Sequence, residues 1–62
     1  MNKKSDYIPV NELDTDTRKA LRKDSVVLLE EVDSNTTRLF LSSGYQLKAN
    51  GSMRDWLKKL DD

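Results

Sequence analysis

The 62-residue chain has no cysteine and no histidine. Their absence excludes a disulfide framework, a thiol nucleophile, an imidazole general base and a metal site of the Cys/His kind. Long hydrophobic runs are also missing: nothing approaches the roughly 18 apolar residues of a membrane span. The start, Met1-Asn2-Lys3-Lys4-Ser5-Asp6, is basic but has no apolar stretch behind it, so no signal peptide is expected. The expectation is a soluble, cytoplasmic protein. Charge of one sign is lacking too, with 11 basic and 11 acidic side chains. Only 35% of residues are apolar. A chain this short buries roughly 60% of its unfolded surface and has neither of the usual covalent or metal staples. A homo-oligomer, a dimer first, or stability completed by a bound partner is therefore expected. The zero net charge argues against disorder over the whole length.

Residues 1–6 carry no pattern and are expected to form a disordered tail, with 7–62 as one small domain. Tyr7-Ile8-Pro9-Val10 reads as extended. Pro9 lacks an N–H, which restricts the segment to an edge strand or a lead-in. A helix is expected over 11–23. Asn11 or Asp14 would cap it, acids (Glu12, Asp14, Asp16) precede bases (Arg18, Lys19, Arg22, Lys23), and that order suits the helix dipole. Its apolar face, Leu13, Ala20 and Leu21, is thin. Val26-Val27-Leu28-Leu29 breaks the helical period and reads as a strand continuing to Val32. Asp33-Ser34-Asn35 is a turn, Thr36 to Leu41 a strand, Ser42-Ser43-Gly44 a turn, and Tyr45 to Ala49 a strand. Ser52 then caps a last helix, with Asp55 three residues on. That helix carries Met53, Trp56, Leu57 and Leu60 at helical spacing. The expected fold class is α+β, in the order α-β-β-β-α: a small antiparallel three-stranded meander flanked by an N-terminal and a C-terminal helix.

The turns fix a register. A three-residue loop at 42–44 with Gly44 left-handed sets Leu41 against Tyr45, Leu39 against Leu47 and Thr37 against Ala49. The opposite face then pairs Phe40 with Gln46 and Arg38 with Lys48. A two-residue loop would mix apolar with polar. The same rule at 33–35, with Asn35 left-handed, sets Leu29 against Leu39, Val27 against Leu41, Glu30 against Arg38 and Leu28 against Phe40. One face (Val27, Leu29, Leu39, Leu41, Tyr45, Leu47, Ala49) should take the last helix, with Trp56 as its largest contact. The other carries Val26, Leu28, Val32 and Phe40 beside Glu30, Arg38, Gln46 and Lys48. It needs a cover, from helix 11–23 or a second subunit.

No enzyme is expected. Glu30 and Glu31 are adjacent in a strand and point to opposite faces. Asp61-Asp62 is a solvated end. Neither Ser42-Ser43-Gly44 nor Asn50-Gly51-Ser52 has a lysine placed as a phosphate loop needs. No cofactor, metal or small-molecule substrate is implied. The bases are more informative. Residues 34–60 hold five bases and one acid, while residues 1–33 are net acidic. Such segregation is either a solubility device or the footprint of a phosphate backbone. Phe40, among Arg38, Gln46 and Lys48, is either a binding hot spot or a residue covered by a neighbouring helix.

Residues 25–60 resemble the first half of a LytTR-type DNA-binding domain. The shared pattern is an apolar strand ending in acids (Val27-Leu28-Leu29-Glu30-Glu31), a polar turn (Asp33-Ser34-Asn35-Thr36), a strand, the Gly44 turn, another strand, and a helix opening Ser52-Met53-Arg54-Asp55. Ile8-Pro9-Val10-Asn11 resembles the family's short lead-in segment. The resemblance implies a bacterial or phage transcription regulator whose first hairpin turn, here Asn35 and Thr36, touches DNA. The functional expectation is a small non-enzymatic regulator that binds a macromolecule, DNA or a protein. Asn35, Thr36, Arg38, Phe40, Gln46 and Lys48 are the candidate contacts. The alternative is a protein-binding inhibitor or adaptor working through the Leu28/Phe40 face.

Overall fold

Hydrophobic alternation begins earlier than the helical reading allows. In the computed structural model, which describes residues 6–61, the strand β1 (Tyr7–Glu12) turns Ile8, Val10 and Glu12 inward and leaves Tyr7, Pro9 and Asn11 exposed. Residues 13–16 form a turn, with Asp16 in the left-handed region at φ 55°. The chain returns as β2 (Thr17–Arg22), paired antiparallel with β1. The helix expected over 11–23 is therefore a β-hairpin instead. The reason is burial: a helix there would offer only Leu13, Ala20 and Leu21 to the core and would leave Ile8 and Val10 without a partner strand. In the hairpin, Leu21 lies directly opposite Ile8, and alternation along β1 puts Val10 on the same face, so three large aliphatic residues are buried together. Leu13 and Ala20, expected on the apolar face of that helix, are both exposed.

Pro9 fits because of the pairing pattern. The Lys23 N–H donates to the Asp6 carbonyl at 2.8 Å, so hydrogen-bonded pairs alternate as Asp6/Lys23, Ile8/Leu21 and Val10/Lys19. Pro9 then points its nitrogen away from β2. On that other side β1 meets its next neighbour only at Glu12, opposite Ala49, and no donor is needed. Of the expected tail, residues 1–5 lie outside the described residues, and Asp6 is tied into the hairpin.

A 3-10 turn (Lys23–Ser25) leads into β3 (Val26–Asp33), β4 (Thr36–Leu41) and β5 (Gln46–Asn50), followed by the helix α1 (Met53–Asp61). The five strands form one antiparallel sheet in the order β2-β1-β5-β4-β3. The fold class is thus a five-stranded sheet with one C-terminal helix, not a three-stranded meander between two helices. Within the meander the register agrees closely with the turn analysis. Leu39 faces Leu47, Thr37 faces Ala49, Phe40 faces Gln46 and Arg38 faces Lys48, and the Leu41 N–H donates to the Tyr45 carbonyl at 2.9 Å. Between β3 and β4, Leu28 meets Phe40, Leu29 meets Leu39 and Glu30 meets Arg38.

Two β-bulges depart from that register. At the first, Val26 rather than Val27 sits opposite Leu41. Val27 is thrown outward to 63% exposure, and Val26, expected on the outer face, packs against the core. At the second, Val32 is skipped and Asp33 pairs with Thr36. The loop is then two residues long. Asn35 is not left-handed; its N–H is held at 2.8 Å by the Asp33 carboxylate, an Asx turn.

The core joins the hairpin to the meander: Ile8, Val10 and Leu21 from one, Leu39, Leu47 and Ala49 from the other, and Trp56 from α1. The Trp56 indole N–H donates to the Asn50 carbonyl at 3.1 Å, and Lys59 Nζ lies 4.6 Å from its ring centroid. The buried Thr37 hydroxyl donates to the Gly51 carbonyl at 2.9 Å. Gly51 itself is at φ +119°, and a Cβ there would stand 3.2 Å from the indole nitrogen. The Ser52 hydroxyl accepts the Asp55 N–H at 3.1 Å, so the expected cap is present. Among the described residues no helix is long and apolar enough to cross a membrane.

Removing the indole should remove most of the stability. Trp56→Ala is expected to cost about 3–5 kcal/mol, as much as a single core of this size supplies. Chemical denaturation followed by circular dichroism checks it, and a cooperatively folded variant would show that α1 is peripheral.

Candidate functional site

The register arranges the outer face of the meander as three transverse rows. Leu28, Phe40 and Gln46 form the first, Glu30, Arg38 and Lys48 the second, and Asp33, Thr36 and Asn50 the third. Asn35 stands beyond the last row, exposed in the turn. All six candidate residues (Asn35, Thr36, Arg38, Phe40, Gln46 and Lys48) therefore belong to one surface that runs from apolar through charged to polar. With no helix at 11–23, the expected cover is missing. Leu28 is 55% exposed, Gln46 is exposed, and Phe40, Arg38, Lys48 and Thr36 are half-buried.

The central row carries the electrostatics. Arg38 and Lys48 are directly opposite one another, and like charges in that position are unfavourable. Arg38 Nε lies 3.1 Å from Glu30 Oε1, and Arg38 Nη1 donates to Gln46 Oε1 at 3.4 Å. The Nε contact is an ion pair without hydrogen-bond geometry, which leaves that buried nitrogen without an acceptor. Lys48 has no ion pair among the described residues. Cationic donors with unused hydrogen-bonding capacity, next to an amide and an exposed apolar patch, suit a partner that brings acceptors.

A second polar cluster escaped the sequence analysis. Glu12 is 4% exposed at the single point where β1 meets β5. Its carboxylate is 3.0 Å from Lys19 Nζ and accepts the Tyr45 hydroxyl, 2.9 Å from both oxygens. The signal was its place in the alternation Ile8, Val10, Glu12. The Lys19 ammonium, aided by the Tyr45 hydroxyl, holds the Glu12 carboxyl below its ordinary value against the opposing effect of burial. Glu12 in turn raises Lys19 and Tyr45. Both partners use the carboxylate as a structural acceptor, so it joins strands and is not a free catalytic acid.

Comparison with family models, curated proteins and solved structures finds no match for this chain.

The cluster makes stability depend on pH in a definite direction. A carboxyl whose folded value is depressed contributes stability that is present above its unfolded value and is lost as pH falls through the folded one. Wild-type protein should therefore lose stability below about pH 4.5, the ordinary value for glutamate. The gap between wild type and Glu12→Gln, measured by urea denaturation, should narrow from pH 6 to pH 3. A constant gap would mean that folding leaves the acidity of Glu12 unchanged, and a gap that widens toward pH 3 would mean that burial outweighs its pairing.

Proposed function

We propose that this protein is a small non-enzymatic regulator, of bacterial or phage type, that binds duplex DNA through the outer face of the β3-β4-β5 meander. The observation that carries this reading is the cross-strand pair Arg38 and Lys48, two cations held opposite one another on an open face, with one carboxylate, Glu30, on the far side of Arg38. A phosphate backbone relieves that repulsion and supplies the acceptors both side chains want. Thr36, Asn50 and the Asn35 turn extend the same surface with uncharged hydrogen-bonding groups suited to sugar, phosphate and base edges. The resemblance of residues 25–60 to the first half of a LytTR-type domain points the same way and sets Asn35 and Thr36 at the contact. The functional setting proposed is the cytoplasm.

Titration of a labelled mixed-sequence duplex, followed by fluorescence anisotropy at several salt concentrations, tests the reading. Log affinity should fall linearly with log salt, and Arg38→Gln or Lys48→Gln should each lower the slope by about one phosphate contact. No detectable binding at low salt ends it.

The protein-binding alternative rests on a different observation, the exposed Leu28 beside half-buried Phe40 in the first row. Apolar anchors of that kind centre protein interfaces. Phe40→Ala distinguishes the two. It should weaken capture of a protein partner at least tenfold, whereas phosphate-dominated DNA binding should keep its salt slope.

A further inference from the structure

A second apolar surface lies away from the central row, at the free edge of the sheet. β3 is the outermost strand. Between it and α1 runs an open groove lined by Val26, Val27, Leu28 and Leu29 on the strand side and by Met53, Leu57 and Leu60 on the helix side. Val27 and Leu57 are 63% and 55% exposed, a cluster rather than the scattered single residues that soluble surfaces carry. Another β-strand is a poor occupant. The bulges at Val27 and Val32 interrupt the row of backbone groups that strand addition needs. A helix ridge suits the groove better.

The charges beside Leu57 say which helix. At about 100° per residue, Arg54 and Asp61 both flank Leu57 on the side away from Trp56, about 10 Å apart along the axis. Both are exposed, and neither has an ion pair among the described residues. A stripe with a base at one end, leucine in the middle and an acid at the other end is complementary to itself reversed. Self-complementarity under reversal is what a two-fold symmetric interface requires.

We propose that the groove is occupied by a second copy of this chain. The two α1 helices pack antiparallel, each Leu57 enters the groove of the other subunit, and each Arg54 pairs with Asp61 of the second copy. The dimer does not require the proposed DNA-binding face: Leu28 at the edge borders both surfaces, but the central row of Glu30, Arg38 and Lys48 takes no part in it.

Molar mass in solution, by light scattering and sedimentation equilibrium on the full chain, tests the proposal without nucleic acid. At roughly 100 μM, where an interface of micromolar affinity is filled, the expected mass is about twice the 7.2 kDa of one chain. Arg54→Asp should shift the equilibrium to monomer by at least tenfold. Adding Asp61→Arg to it should restore the dimer, because the swapped charges again meet in the reversed copy. Leu57→Glu should give monomer with an unchanged circular dichroism spectrum. A monomer at every concentration overturns the proposal and leaves the groove to a different chain. A dimer indifferent to Arg54→Asp, or not restored by the double swap, overturns the antiparallel arrangement.

Discussion

The architecture turns on one buried carboxylate. The hairpin and the meander share a sheet, yet β1 and β5 are in register only at Glu12 and Ala49. At that point Glu12 gathers Lys19 from β2 and Tyr45 from the turn before β5. An unpaired carboxylate so placed would be costly. Paired to a lysine and a phenol, it becomes a three-way tie between segments far apart in sequence. Burial and pairing oppose each other in setting its acidity, and pairing prevails. Removing one partner from such a site costs more than the pair contributes in place, because the other charge is left behind. The hairpin therefore contributes more than Ile8, Val10 and Leu21 to the core; it also supplies the lysine that lets β1 end against β5.

The C-terminal end of β5 also anchors a corner. Thr37 holds the Gly51 carbonyl, the Asn35 carbonyl accepts the Gly51 N–H at 2.7 Å, and Trp56 holds Asn50. These bonds fix the β3-β4 turn, the end of β5 and the start of α1 to one another. Gly51 is required twice over, by its positive φ and by the indole beside it. The inner face thereby sets the geometry of the outer one. With Leu39, Leu47 and Ala49 locked below, alternation fixes Phe40, Arg38, Gln46 and Lys48 above, in rows whose spacing depends on the sheet and not on loops. A surface carried on strands presents its charges at defined separations.

Much of the meander was legible because two kinds of information agreed there. Gly44 fixed the loop between β4 and β5, and apolar alternation fixed the register on both sides of it. The six candidate residues came out on one surface for the same reason. The bulges were not legible. Nothing in Val26-Val27-Leu28-Leu29 says which valine is expelled, since both suit a strand equally and Leu41 decides between them. The N-terminal hairpin was misread for a different cause. Acids before bases satisfy a helix dipole, and local order of charge is visible in a sequence where long-range pairing is not. Ile8 opposite Leu21, thirteen residues away, outweighed it. Pro9 is not the mark of an edge or lead-in: its strand has a neighbour on each side, and the ring is tolerated because β5, on the side its nitrogen faces, pairs with β1 only at Glu12.

The neutrality of the chain also has a structural form. The acids of β3 border a basic row on one side and an apolar groove on the other. Glu30 covers part of Arg38, while Arg54 and Asp61 stand apart on α1. Had charge been matched locally throughout, Lys48 would face an acid instead of Arg38, and Arg54 would have a carboxylate within its own subunit. Surface ion pairs contribute little to folding, so folding exerts little pressure either way on such matches. Cations left opposite one another on one face, and an acid and a base set apart beside an open groove on another, are arrangements that the folding of the isolated chain does not select.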